Sequence, residues 1–419
     1  MHRYDAISRE VRQELLDRFL RYVRVHTTSD ESTAEHRTPS TDCQWNLLRL
    51  LEAELKDLGI EDVNLDQYGY LIARIPGNLS NDDGASIGFM AHVDTSGDAP
   101  GENVHPVVHE KYDGKTIKLA DDIVIDPSEN PLLERYVGET LISSDGTTLL
   151  GADDKAGVAE IMTVIHWLLR HPDEPRGNLE LIFTPDEETG KGMNRFPFNR
   201  LRSRYCFTVD GGEEGELETE CFYAYAAKVY FKGRAMHPGS ARGRMINAIT
   251  MAGAFISMLP RSESPEATDG RYGNYWPHRV EGGLENAELM VMYRSFDIDD
   301  IHRRSEALKV FASAIEAGFP GGRVSVETAQ QYRNMREELD KHPQVIETVR
   351  QAMRHSGIEP NEKPIRGGTD GSFLTAMGIP TPNIFAGGVN FHSRSEWIAL
   401  SAMARAVAVI LNTIGLWPK

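Results

Sequence analysis

Four short apolar runs in this chain end in the same way. "IGFMA" leads into His92 and Asp94, "LELIFT" into Asp186, Glu187 and Glu188, "CFTV" into Asp210, and "NIFAGGVN" towards His392. Runs of this length and character read as buried strands. Helical patterns lie before and between them: "REVRQELLDRFLRYVRV" and "CQWNLLRLLEAELKDLG" are amphipathic, and "AGVAEIMTVIHWLLRH" follows the first strand ending. Strand and helix alternate up to about Asp210, which predicts an α/β layer with a mostly parallel sheet. Ligands of open α/β sheets bind outside the carboxyl ends of the strands. Four endings with one ligand vocabulary therefore predict one common site in place of four solvated loops.

After Asp210 the texture changes. "CFYAYAAKVYFKG" reads as a long alternating strand, "MINAITMAGAFISMLP" as a helix, "AELMVMYRSFDI" as a strand and "IHRRSEALKVFASAIEAGF" as a helix. Between the first helix and the second strand, "SESPEATDGRYGNYWPHRVEGG" is loop-rich with weak strand character at most. This block predicts an inserted α+β domain over 219–328. The α/β texture resumes at "HPQVIETVRQAMRHSG", so residues 1–218 and 329–419 form the other domain. At 419 residues, two domains are also the expectation from length.

Composition narrows the function. There are 45 basic and 63 acidic residues, a net charge of −18, which repels phosphate backbones and anionic lipid. Nucleic acid and membrane are excluded as partners on that ground. Cys43, Cys206 and Cys221 form no paired motif, which fits a reducing compartment. The N-terminal stretch mixes charges of both signs and shows no signal-peptide core, so the expected location is the cytoplasm.

Two histidines with several carboxylates and no thiolate suit zinc, or a harder ion such as manganese or cobalt. Two metals sharing one carboxylate would use five ligands, and a pair ~3.5–4 Å apart is a known hydrolytic device. Calcium suits the set poorly, because it prefers oxygen to imidazole.

The motifs "HVDT", "GADDKAG", "TPDEE", "TVDGG", "HPG", "IRGGTDG" and "NFH", in this order, resemble the M20 family of dinuclear zinc metallopeptidases, and within it the tripeptide aminopeptidases. The resemblance runs from about residue 15 to the C-terminus and leaves the first dozen residues as an extension. "NFHSRSEW" departs from the family's usual sequence just after its histidine, while the ligand itself remains. The resemblance implies a zinc-peptidase-type sheet with helices on both faces, and a ferredoxin-like insert that serves as lid and dimerisation domain. It implies two zinc ions per subunit, replaceable by cobalt or manganese, and short peptides as substrates. By the same resemblance Asp153 is the bridging ligand, His92 and Asp210 hold one metal, and Glu188 and His392 the other. Asp94 orients His92, and Glu187 is the general base. His237 stabilises the oxyanion from the other subunit of a homodimer. Arg294 and Arg366 bind the substrate carboxylate, for which a planar guanidinium fork is suited. Asn247 contacts substrate or packs its own helix. The peptide bond between Asp153 and Asp154 is expected to be cis, with Asp154 pointing away from the metals. Two other readings keep part of this picture: the same site in a dipeptidase, carboxypeptidase or N-acyl-amino-acid hydrolase, or a metal-stabilised binding protein without catalysis.

Overall fold

The computed structural model describes residues 7–79 and 86–417. The chain divides into two compact units, one of residues 1–219, 337–363 and 369–419, the other of 220–336 and 364–368. The first half of the expected N-terminal extension lies outside the described residues.

In the first unit we label the strands β1 (Asp62–Leu65), β2 (Leu71–Ile75), β3 (Ser86–His92), β4 (Asn178–Thr184), β5 (Ser203–Gly211), β6 (Glu216–Glu218), β7 (Asn361–Glu362) and β8 (Asn383–Phe385). The helices used below are α1 (Arg9–Val23), α2 (Ala152–Arg170), α3 (Asp370–Ala376) and α4 (Leu400–Leu416). The eight strands form one sheet in the order β1-β2-β4-β3-β5-β8-β6-β7. The expectation of a mostly parallel sheet holds at its centre: β4, β3, β5 and β8 run parallel. Towards the edges β1, β2 and β6 pair antiparallel, so the sheet as a whole is mixed.

All seven residues of β3 are buried, which requires cover on both faces of the sheet. Met90 and Ile182 pack with Leu374 of α3 on one side, and on the strand's alternate positions Phe89 stacks on Phe207. Gly157 decides how closely α2 approaches. A Cβ there would penetrate the Val209 carbonyl oxygen of β5 and lie 2.5 Å from Asp154 Oδ1. Only glycine lets the helix sit this close to the strand.

A second, four-stranded sheet in this unit contains Gly388–Val389, Trp397–Ala399, Leu141–Ser144 and Pro106–His109. Its first two strands form a hairpin whose loop carries His392.

The second unit has the chain order βαββαβ, with strands Tyr223–Lys232, Asn274–Gly282, Asn286–Ser295 and Arg323–Tyr332 and helices Ala248–Met258 and Ile298–Gly318. Its sheet is antiparallel throughout. The core lies between sheet and helices, around Val229, Phe231, Phe255, Tyr293 and Leu308. This is a ferredoxin-like arrangement. Two expectations are corrected. Asn274–Gly282 is a strand paired with Asn286–Ser295, with a register shift between Pro277 and Arg279, although only its first two residues are buried. It lies at a sheet edge with little apolar burial, which is why the sequence pattern there is weak. The boundary expected at 328 falls inside the strand Arg323–Tyr332, whose polar, mostly exposed face also hides its strand character. Among the described residues no cysteine forms a disulfide. Among the described residues, no helix is long and apolar enough to cross a membrane.

Candidate functional site

Because β4, β3, β5 and β8 are parallel neighbours, their carboxyl ends share one edge. His92 is the last residue of β3, and Asp210 is the penultimate residue of β5. Glu187 and Glu188 follow β4 in a short 3-10 turn. Asp153 stands at the start of α2, where the helix is interrupted: Asp153 and Asp154 have non-helical dihedral angles, and the bond between them is cis, as the resemblance implies.

Two groups of three side chains meet at this edge and share Asp153. One is His92, Asp153 and Asp210, the other Asp153, Glu188 and His392, and within each group the ligand atoms lie within 4.8 Å of one another. His92 Nε2 is 2.9 Å from Asp153 Oδ1 and 3.5 Å from Asp210 Oδ1. His392 Nε2 is 3.2 Å from Asp153 Oδ2 and 2.9 Å from Glu188 Oε2. Each oxygen of Asp153 thus faces a different imidazole. Asp154 turns away and is fully buried. It accepts the backbone N–H of His92 at 3.2 Å and that of Gly157 at 3.1 Å, so it caps the helix and ties it to β3.

The electrostatics suit positive charge. Burial pulls the Asp153 carboxyl up, but hydrogen bonding to His392 and His92 outweighs it and holds the group below the usual carboxylate range. Hydrogen bonding to Asp153 and Glu188 raises His392 to about 11. Burial pushes Glu188 up to about 8 and Asp210 to about 6. By themselves the three carboxylates can share this space only by keeping protons or cationic imidazoles beside them. Among the described residues Glu188 Oε1 is also buried without a hydrogen-bond partner, and an orphaned carboxylate oxygen needs a cation or donor. Two imidazoles, three carboxylates and this orphaned atom fit a pair of divalent metal ions.

Around the ligands lies a supporting layer. Asp94 Oδ1 is 3.3 Å from His92 Nδ1 and accepts the backbone N–H of Glu187 at 3.0 Å. Its other oxygen accepts the N–H of Glu188 at 3.2 Å. One carboxylate therefore orients a histidine and anchors the turn that carries Glu187 and Glu188. Burial pushes Glu187 itself well above the usual carboxylate range.

Sequence reasoning assigned no supporting role to three acidic residues of this layer. Asp98 Oδ2 lies 3.1 Å from His392 Nδ1, the same relation Asp94 has to His92. Its place four residues after Asp94 in one post-strand loop was the available signal. Asp186 accepts Ser40 N–H and O–H and the Gln44 side-chain amide, at 2.5–2.9 Å. Asp370, inside "IRGGTDG", accepts the Thr184 hydroxyl at 2.6 Å, and burial raises it to about 7.

The remaining four expected site residues belong to the second unit. His237 caps a short turn, its Nδ1 accepting the N–H of Gly239 at 3.1 Å. Asn247 is the N-cap of the helix Ala248–Met258, accepting from Ile249 N at 2.9 Å and Thr250 N at 3.4 Å. Arg294 is half-buried. Its Nη1 donates to the Arg366 carbonyl at 3.3 Å, while its Nε is buried without a partner among the described residues. Arg366 spends all four Nη hydrogens on Gly270 O, Tyr272 O, Thr268 O and Thr268 Oγ1, at 2.9–3.2 Å. Its guanidinium is tied to its own unit, and the neighbouring Gly368 serves close packing: a Cβ there would meet the Tyr332 ring at 2.6 Å.

Comparison with known proteins identifies the family. Residues 146–415 match the profile of peptidase family M20/M25/M40. The chain is 45% identical over 411 residues to peptidase T of Geobacillus thermodenitrificans, covering 98% of this chain and 99% of that protein. It is 46% identical over 403 residues to peptidase T of Clostridium perfringens strain SM101, covering 96% and 98%. Among solved structures, aminopeptidase PepT of Bacillus cereus superposes with a TM-score of 0.74 at 24% identity, covering 97% of this chain and 98% of that one. A Bacillus subtilis protein described as a dinuclear metal binding peptidase superposes with a TM-score of 0.66 at 15% identity, over 97% and 98%.

Proposed function

The chain belongs to peptidase family M20/M25/M40, and on that premise we propose that it is a metal-dependent aminopeptidase that releases the N-terminal residue of tripeptides, using two zinc ions held by the five converging side chains. The observation that carries this reading is the sharing of Asp153 between two histidine–carboxylate groups. Its relatives at 45–46% identity over nearly the whole chain are named as peptidases, and the resemblance of its motifs to the tripeptide aminopeptidases suggests the substrate length.

Asp153 would bridge the pair, with His92 and Asp210 on one ion and Glu188 and His392 on the other. Bound there, the ions would polarise the scissile carbonyl and lower the proton affinity of the attacking water. The protein's own groups then divide the work. Glu187 takes the proton of the attacking water and returns it to the leaving amine. Burial, which raises its proton affinity, suits a carboxylate that must hold a proton between the two steps. Asp94 holds the His92 ring and the Glu187–Glu188 turn in one register. On the family reading the oxyanion is stabilised by the partner subunit's His237. Arg294, with an unpartnered buried Nε, is the better candidate for the substrate carboxylate, because Arg366 is already engaged. The same reading makes the protein cytoplasmic and homodimeric through its second unit.

The test is hydrolysis of free di-, tri- and tetrapeptides and one N-acyl-amino acid by metal-replete protein, with zinc counted on the same sample. Two zinc ions per chain and a preference for tripeptides are expected. A preference for the acylated substrate overturns the aminopeptidase assignment. Two bound ions with no hydrolysis of any peptide favour a binding protein.

A further inference from the structure

Glu396 lies in the loop between the strands Gly388–Val389 and Trp397–Ala399 and is 1% exposed. Its carboxylate points at backbone. Oε2 accepts the N–H of Leu150 at 2.7 Å and of Gly151 at 2.8 Å, and Oε1 accepts the N–H of Asp153 at 3.1 Å. Three donors within four residues converge because Gly151 adopts a positive φ of 79° and because the first amides of a helix lack intrahelical acceptors. A buried N–H left without an acceptor is destabilising, so these three need the carboxylate.

The loop that carries Glu396 also carries His392, and it is braced internally. Ser393 Oγ donates to Asn390 O at 2.7 Å, and Asn390 Nδ2 donates to Ser395 O at 3.2 Å. The imidazole of His392 faces the side chain of Asp153 while Glu396 holds the same residue's amide. Nearby, the buried Lys155 donates to Val25 O at 2.7 Å, and its ammonium lies in the field of Glu396.

We propose that Glu396 is a positioning residue that clamps the backbone of Asp153, so that one braced loop sets the distance between His392 and the shared carboxylate. It touches neither peptide nor metal, and it acts through Asp153. The inference rests on the proposed function, in which Asp153 bridges two ions.

Two variants separate charge from reach. Glu396→Gln keeps the shape and can still accept from Leu150 and Gly151. It then turns an NH2 towards the Asp153 N–H, donor against donor. Glu396→Asp keeps the charge and withdraws it by one methylene. Zinc affinity is measured by competition with a chelator, alongside kcat and KM on a tripeptide at saturating zinc and the thermal midpoint of the metal-free protein. Loss of a group that orients a metal ligand costs about 10–100-fold in affinity or activity. Both variants are expected to lose affinity in that range, with kcat falling at least about 10-fold and KM within about twofold. A merely structural role would lower the midpoint and leave zinc affinity within twofold of wild type, and that result overturns the clamp. The unmodified protein gives a check that needs no variant: without metal, the amides of Leu150, Gly151 and Asp153 are expected to resist hydrogen exchange. Fast exchange there also overturns it. Unmodified protein that binds no zinc pair refutes the proposed function itself, a different outcome from zinc binding that is indifferent to Glu396.

Discussion

Replacing Gly157 by alanine probes the packing that brings the two halves of the site together. The added Cβ would penetrate the Val209 carbonyl oxygen and lie 2.5 Å from Asp154 Oδ1. Ordinary carbon contacts begin near 3.4 Å. Asp154 can rotate away at the cost of the hydrogen bonds it accepts from His92 and Gly157, but a strand carbonyl cannot rotate. The helix must therefore back off from β5 by on the order of 1 Å, the scale at which a close-packed interior repacks. Overpacking of this kind costs about 1–3 kcal/mol, and loss of the Asp154 cap adds about 1. A destabilisation of roughly 3 kcal/mol is expected, which lowers a thermal midpoint by about 5 °C for a unit of about 300 residues. The same movement carries Asp153 away from Asp210, which follows Val209 directly. Sites of this kind tolerate only about 0.5 Å of misplacement, so zinc affinity at the His92 group should fall by more than about tenfold. The assays are thermal unfolding of metal-free protein and chelator competition for zinc. A variant with the midpoint and zinc affinity of the wild type would show that the glycine is not what sets the distance between α2 and β5.

Glu187→Gln should bind two metal ions as the wild type does and lose about 10²–10⁴ in kcat, the usual worth of a general base. Activity retained by metal-replete protein removes Glu187 from that role. Asn247→Ala should cost about 1 kcal/mol in unfolding experiments, because the side chain caps its helix. Unchanged stability with a raised KM would identify it as a substrate contact instead. Glu160 on α2 is fully buried, neither of its oxygens finds a hydrogen bond, and burial pushes its carboxyl well above the usual range. A raised folded value means stability that is complete below the ordinary carboxylate range and is lost as pH rises through the raised value, by at most about 1.4 kcal/mol per pH unit. Glu160→Gln should flatten that part of a urea-stability profile against pH, and an unchanged slope rules Glu160 out as its source.

The parts of this protein that could be read from sequence are those in which local pattern and chemistry coincide. An apolar run that ends in His92 or Asp210 announces both a buried strand and the ligand at its end, since the sheet buries the one and exposes the other. The division of labour between Asp153 and Asp154 came from family resemblance, and the hydrogen bonds of Asp154 give it a physical basis. Where burial is slight, the pattern vanished. Asn274–Gly282 and Arg323–Tyr332 face solvent along most of their length, and a strand held by backbone pairing carries little hydrophobic signature.

The supporting layer is a different matter. Glu396 reaches the amide of Asp153 across 243 positions, Asp186 reaches Ser40 across 146, and Asp98 reaches His392 across 294. No periodicity links residues so far apart. Arg366 is a converse case: its type and glycine neighbours suggested a ligand fork, and folding used that fork on carbonyls of its own unit. The chain by itself determined which side chains can hold metal and that strand ends would gather them, because those depend on residue chemistry and on alternation along the chain. Tertiary structure alone decided which acids brace the ligands, how close α2 lies to β5, and which arginine keeps an unpaired donor, because each depends on groups that only folding brings within hydrogen-bonding reach.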